Sequence, residues 1–200
     1  EWRNDPKEYN AYLGRMQKFV QTLAPNHNSL KAHLMYHQLV FNRTQGKWDK
    51  DLFMKYVQLP RYASYVNTKW YQQKEVQRYA CNLNQNYHSF TQLTTVGNDE
   101  PLIRSYLHHF FVKETTTKPY ETWLNDVYLR HNFAEVKLVH GLGDPEAWYS
   151  MLPPAKVQQI KNRIDLDFAY TNEERFTIDD PVSVDVNVKN VKTMIVKVYE

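Results

Sequence analysis

Two histidines four residues apart, in the run His33-Leu34-Met35-Tyr36-His37, have the spacing that puts both imidazoles on one helix face, where they can share a metal ion. Zinc peptidases of the H-E-x-x-H type need a glutamate directly after the first histidine as general base. Leu34 stands in that place, so the motif excludes this chemistry. A metal held without such a base needs two further ligands, for which His27, His108 and His109 are candidates. The plainer reading is that His33 and His37 flank a packed helix face and hydrogen-bond locally. His108 and His109 are neighbours, so they point about 100° apart on a helix and do not readily bind one ion. One is expected at the surface and the other at a helix contact.

Other nucleophiles and carboxylates are weaker. Cys81 is the single cysteine, which rules out an intrachain disulfide, and a thiolate nucleophile there would need a histidine such as His88 close in space. None of the six serines lies in the sharp Gly-flanked turn of a hydrolase. Val139-His140-Gly141-Leu142-Gly143-Asp144 has the front half of a dinucleotide-binding loop, but Glu146 occupies the third glycine position and Asp144 would set negative charge against a pyrophosphate. A turn capped by Asp144 explains these residues, and no cofactor is expected. The carboxylate pairs Asp165/Asp167, Glu173-Glu174 and Asp179-Asp180 lie together near residue 170, where solvated charge is ordinary and no calcium-loop pattern is present.

Aromatic residues are the one clear excess, at 14 %, with fifteen tyrosines and five tryptophans. Tyr62, Tyr65, Trp70, Tyr71, Tyr79 and Tyr87 fall in an Asn- and Gln-rich stretch, 61–98, that keeps no period of 2 or 3.6. Flat rings beside amides suit a sugar or peptide surface. The same rings can instead cover the helices as an irregular core layer. Tyr62, Tyr65, Trp70, Tyr71 and Tyr87 are the ligand-binding candidates.

The elements that must carry these residues are mostly helical. Tyr9, Tyr12, Leu13, Met16, Phe19, Val20 and Leu23 recur at helical spacing, with Asp5 as N-cap, Pro6 at the first helical position and Pro25 as terminator. Further helices are expected from Asn28 or Ser29 to about Gly46, after Asp49, after Asp99, from Pro119, around Trp148 and after Pro154. Residues 133–140 read as either strand or continued helix. Beyond Arg163 the period changes: Val182, Val184, Val186 and Val188 alternate with polar residues, and Met194, Val196 and Val198 continue the pattern. This predicts an α+β chain, a helical domain over 1–163 followed by 164–200 as linker and an antiparallel hairpin that opens a truncated β-sandwich. Its free edge at 193–200 would favour self-association. Basic and acidic residues, 25 and 22, are well mixed and leave a net charge of +3, which excludes a dedicated nucleic-acid face. No stretch is apolar enough to span a membrane.

Residues 180–200 resemble segments of very large bacterial multidomain proteins, and the part ending Val196-Lys197-Val198-Tyr199 is similar to β-sandwich strands of bacterial alpha-2-macroglobulin-like proteins. That resemblance implies a modular bacterial protein, more extracytoplasmic than cytoplasmic, and brings across no functional residue. The resulting expectation is a non-catalytic interaction or scaffold module that meets other domains or protein partners. Two alternatives stand beside it: a hydrolase or metal-binding domain using His33 and His37, and a carbohydrate- or peptide-binding module using 62–87.

Overall fold

The computed structural model describes residues 5–173, 176–178 and 181–197. Helix α1 (Pro6–Gln21) begins where Asp5 accepts the backbone N–H of Lys7 at 2.8 Å, and α2 (Asn28–Thr44) packs against it. Leu13 and Val20 of α1 meet Leu34 of α2 and Leu93 in a small core of their own. Helix α3 (Lys50–Val57) is capped by Asp49, as its sequence predicts, through a 3.0 Å bond from the N–H of Leu52.

The stretch 61–98 contains three single-turn helices, α4 (Thr68–Tyr71), α5 (Lys74–Gln77) and α6 (His88–Thr91), joined by tight loops. Its asparagines explain the missing period. Asn67, Asn82, Asn86 and Asn98 each accept a backbone N–H two residues on, so side chains supply the partners that a regular ladder otherwise would. The stretch is tied down at Val66, which bridges to Leu124, and through bonds from Asn67 N to Trp123 O and from Asn125 N to Tyr65 O.

Helix α7 (Glu100–Lys113) and helix α8 (Asp126–Val139) complete the main core. The helix expected from Pro119 is only a short 3₁₀ turn, Lys118–Tyr120, because Asn125 caps α8 later by accepting from Val127 and Tyr128. Residues 133–139 continue that helix. Met35, Leu39, Phe53, Tyr56, Ile103, Tyr106, Phe110, Phe111, Tyr120, Leu129 and Phe133 form a mainly aromatic centre. There Phe53 stacks on Tyr106 at 5.1 Å and meets Phe110 and Tyr120 edge-on. Lys137 of α8 donates to the carbonyls of Val112 and Glu114, satisfying the end of α7.

Helices α9 (Pro145–Ser150) and α10 (Pro154–Asn162) pack on α8 around Ala134, Leu152 and Ile160. The Gly141–Gly143 turn follows a helix rather than a strand. At Gly143 (φ 76°) an added Cβ would lie 3.1 Å from the Trp148 ring, so this glycine makes room for an indole whose Nε1 donates to Leu142 O.

Strand β1 (Asp165–Phe168) pairs antiparallel with β2 (Val186–Lys189), Asp165 opposite Lys189 and Phe168 opposite Val186. The alternation at 182–188 therefore finds its partner in 165–168, not in the second run from Met194. Asn190 explains the switch. At φ 55° it turns the chain back onto the end of α10 and donates to the carbonyls of Lys161 and Arg163. Lys189 also donates to Ile160 O. The expected α+β layout, a helical body followed by an antiparallel pair of strands, holds, and among the described residues that pair is a two-stranded ribbon rather than a β-sandwich. Val198, Glu200, Glu174, Asp179 and Asp180 lie outside the described residues.

Truncating Phe53 removes a ring that touches three others. Phe53→Ala is expected to cost about 3–5 kcal/mol of unfolding free energy, read as a lower urea midpoint with an unchanged slope.

Candidate functional site

The most constrained polar cluster surrounds Asp99, the residue before α7. Asn98, not Asp99, accepts the Glu100 N–H in that first turn. The Asp99 side chain turns inward: Oδ2 accepts from Tyr56 Oη at 2.6 Å and Oδ1 from Tyr65 Oη at 2.5 Å. Arg61, only 1 % exposed, sets Nε 3.3 Å from Asp99 Oδ2 and donates to Tyr65 Oη at 2.9 Å and to Tyr56 O at 3.2 Å. Its guanidinium also lies over the Tyr56 ring at 4.2 Å. Burial works against the charge on Arg61, but Tyr56, Tyr65 and Asp99 more than offset this and raise its pKa. Burial, reinforced by Asp99, raises both phenol pKa values, so Tyr56 and Tyr65 act as hydroxyl donors.

This cluster floors a cleft of about 660 Å³ formed by residues 61–65, 81–84 and 97–100. Of the aromatic candidates, Tyr62 and Tyr65 line it. Tyr62 is 90 % exposed at the mouth, and Tyr65 is buried in the Asp99 network. Trp70 and Tyr71 are half-buried against the main core, and the Tyr71 ring lies 6.1 Å from that of Tyr62. Tyr87 is half-buried beside His33, ring centres 5.3 Å apart. The five candidate rings thus form no common platform. Cys81 is buried, its Sγ donating to Asn28 O, and burial pushes its thiol up to about 11, so little thiolate forms near neutral pH.

His33 and His37 do meet on α2, ring centres 4.9 Å apart. His33 Nε2 is bonded to Thr91 Oγ1 at 3.1 Å, and His37 Nε2 donates to Thr94 O at 2.8 Å. The pair fastens the segment after α6 to α2. No third His, Cys, Asp or Glu joins them in a metal-capable group among the described residues. His27 and His109 stand elsewhere: His109 stacks on Trp48 at the surface, while His108 bonds to Asn132 at the α7–α8 contact.

A second concavity, about 570 Å³, lies between α1 and α6 and is lined by Glu8, Ala11, Tyr12, Arg15, Phe90 and Gln92. Phe90 is 82 % exposed, and Phe19, one turn beyond Arg15 on the same α1 face, is 54 % exposed. Sequence reasoning passed over Phe90, Arg61 and Asp99 as a site. The one legible signal for Phe90 was an aromatic ring in a stretch that keeps no helical or strand period. For Arg61 there was none, since its partner lies 38 residues on.

Comparison with known proteins places the molecule. Residues 1–164 match the family model described as the actin-binding protein F N-terminal domain. The chain belongs to that family. A curated relative, actin-binding protein F of Dictyostelium discoideum, is 32 % identical over 203 residues, covering all of this chain but 8 % of that protein's length. No solved structure matches the chain. Membership in this family overturns the resemblance to bacterial multidomain and alpha-2-macroglobulin-like proteins, and with it the bacterial, extracytoplasmic setting. The C-terminal alternation that carried it is shared by many amphipathic strands, whereas this match spans the helical body. The coarser expectation, an interaction module, stands. No helix among the described residues is long and apolar enough to cross a membrane.

Arg61→Leu leaves Asp99 buried without its cation. It is expected to cost about 3–5 kcal/mol in chemical unfolding, whereas Tyr62→Ala should stay within about 0.5 kcal/mol. Burial, then the neighbouring His37, lowers His33 from 6.5 to about 4. The folded state thus prefers neutral His33, and its contribution is complete above the unfolded value of 6.5 and lost as pH falls toward 4. The melting temperature should fall across that window, and His33→Gln should flatten the fall.

Proposed function

We propose that this chain is a protein-binding module that attaches to actin filaments through the outer face of α1 and the α6 turn beside it. The observation that carries this reading is Phe90, a large ring almost fully exposed at the rim of a groove, in a family whose curated relative is named for actin binding. Exposed aromatic anchors beside a pocket are the usual centres of protein–protein binding energy. Charge supports the choice of partner. Helix α1 carries Lys7, Arg15 and Lys18 against the single carboxylate Glu8, and all four are exposed. Such a face is attracted to an acidic filament, most strongly at low salt. In this reading the helical body, 1–163, is the binding unit, and 164–200 connects it to whatever it serves. The working location is the cytoplasm, where actin filaments lie.

Neither His33 and His37 nor the Asp99 cluster supports hydrolysis as well. Both groups have their polar atoms largely committed to holding loops in place.

Cosedimentation with actin filaments tests the proposal. The chain is expected to pellet saturably, with Phe90→Ala and Arg15→Glu each weakening the apparent affinity about five- to thirty-fold, and raised salt weakening it further. Absence of filament-dependent pelleting, or pelleting indifferent to both substitutions, would overturn the reading.

A further inference from the structure

The ribbon of β1 and β2 has two outer edges, and no further strand pairs with either among the described residues. Ala169 N donates to Asp185 O at 2.9 Å, and Asp167 lies opposite Asn187. In an antiparallel pair the backbone groups of successive residues point to alternate sides. Asp185, Asn187 and Lys189 therefore turn theirs toward β1, while Val186 and Val188 present N–H and C=O to the open edge of β2. A two-stranded ribbon is marginal by itself, and an open row of this kind is a template for another strand.

Charge selects the strand that fits. The edge reads Asp185-Val186-Asn187-Val188-Lys189. Laid antiparallel on itself about Asn187, it sets Asp185 of each copy opposite Lys189 of the other, and Val186 opposite Val188. The backbone directions agree with this register. Val186 and Val188 supply the hydrogen-bonded pairs, and Asp185 with Lys189 forms the closer pairs between them, where opposite charges stabilise a sheet. Asp185 is exposed, and Lys189, which spends one ammonium proton on Ile160 O, has two more to donate. The edge of β1 behaves in the opposite way: pairing on itself about Leu166 or Asp167 sets aspartate against aspartate. We propose that two copies of this chain associate through β2, with a two-fold axis at Asn187, into a four-stranded sheet in the order β1-β2-β2-β1. Leu166, Phe168, Val186 and Val188 of each copy share one face, so the pairing merges two small apolar faces into one. The contact is isologous and uses both β2 edges, so assembly stops at the dimer. It leaves the α1–α6 surface free and does not depend on what that surface binds.

Sedimentation velocity of the 200-residue chain over a concentration series tests this. A reversible monomer–dimer equilibrium is expected. Asp185→Lys sets like charges opposite one another at both pairs and should raise the dissociation constant about tenfold, as should Lys189→Glu. An equimolar mixture of the two variants should dimerise again, since each brings the charge that the other lacks. A second measurement stands apart from charge, because Lys189→Glu also removes the bond to Ile160 O. Asn187→Cys on the axis brings two Cα atoms to about 4.5 Å, within disulfide reach, so mild oxidation should link the copies. Asp167→Cys, one strand farther from the axis, should not link them. A monomer independent of concentration, assembly beyond the dimer, association indifferent to Asp185→Lys, or equal cross-linking at 167 and 187 would overturn the proposal.

Discussion

One carboxylate holds together three parts of the chain that share no regular backbone pairing. Asp99 sits at the start of α7, Tyr56 on α3, and Arg61 and Tyr65 on the loop that leaves α3, and their side chains close on one another in a dry interior. A buried ion pair is weak evidence of net stability, because desolvating two charges costs about as much as their attraction returns. Its consequence here is placement: Asp99 meets two phenol hydroxyls and a guanidinium at once. That sets the path of residues 61–65, and with it the floor and mouth of the adjoining cleft.

A second carboxylate performs a similar task at the other end. Glu135 is buried on α8 and takes Arg104 from α7 through both oxygens at 2.9 Å, Lys156 from α10 at 3.2 Å, and Arg163 at 3.0 Å. Burial opposes its ionisation, but Arg104 and Lys156 more than reverse this and lower its pKa. Arg163 reaches onward to Asp165, the first residue of β1, at 2.6 Å. The base of the ribbon is thereby tied to the helices, while Phe168, Val184 and Val188 stay exposed farther along. The ring of Tyr170, held under the Arg43 guanidinium at 3.9 Å, is a further attachment.

Most of the helical architecture was legible. Asp5, Asp49 and Asp144 announced helix starts and do cap them, because capping is a bond to a backbone two or three residues away. Apart from Phe19, which lies exposed, the periodic faces of α1, α2 and α7 became core faces for the same local reason. The stretch 61–98 defeated periodicity since its hydrogen bonds run through asparagine side chains. At the candidate sites, the spacing of His33 and His37 correctly put them side by side, yet their partners Thr91 and Thr94 could not be read from spacing. The bacterial resemblance failed because it rested on β alternation, a pattern that period 2 imposes on any strand with one apolar face.

By itself, the sequence determined the caps, the helical faces and the switch to β alternation after Arg163. These depend on neighbours within about four residues. Tertiary structure decided which distant groups meet. Tyr65 finds Asp99 across 34 residues, and Tyr56 finds it across 43. It also decided that Asn190 turns onto α10, so that β2 pairs with 165–168. The physical reason is one of range: a buried charge must find its partner wherever the packed helices leave room, and no local pattern encodes that position.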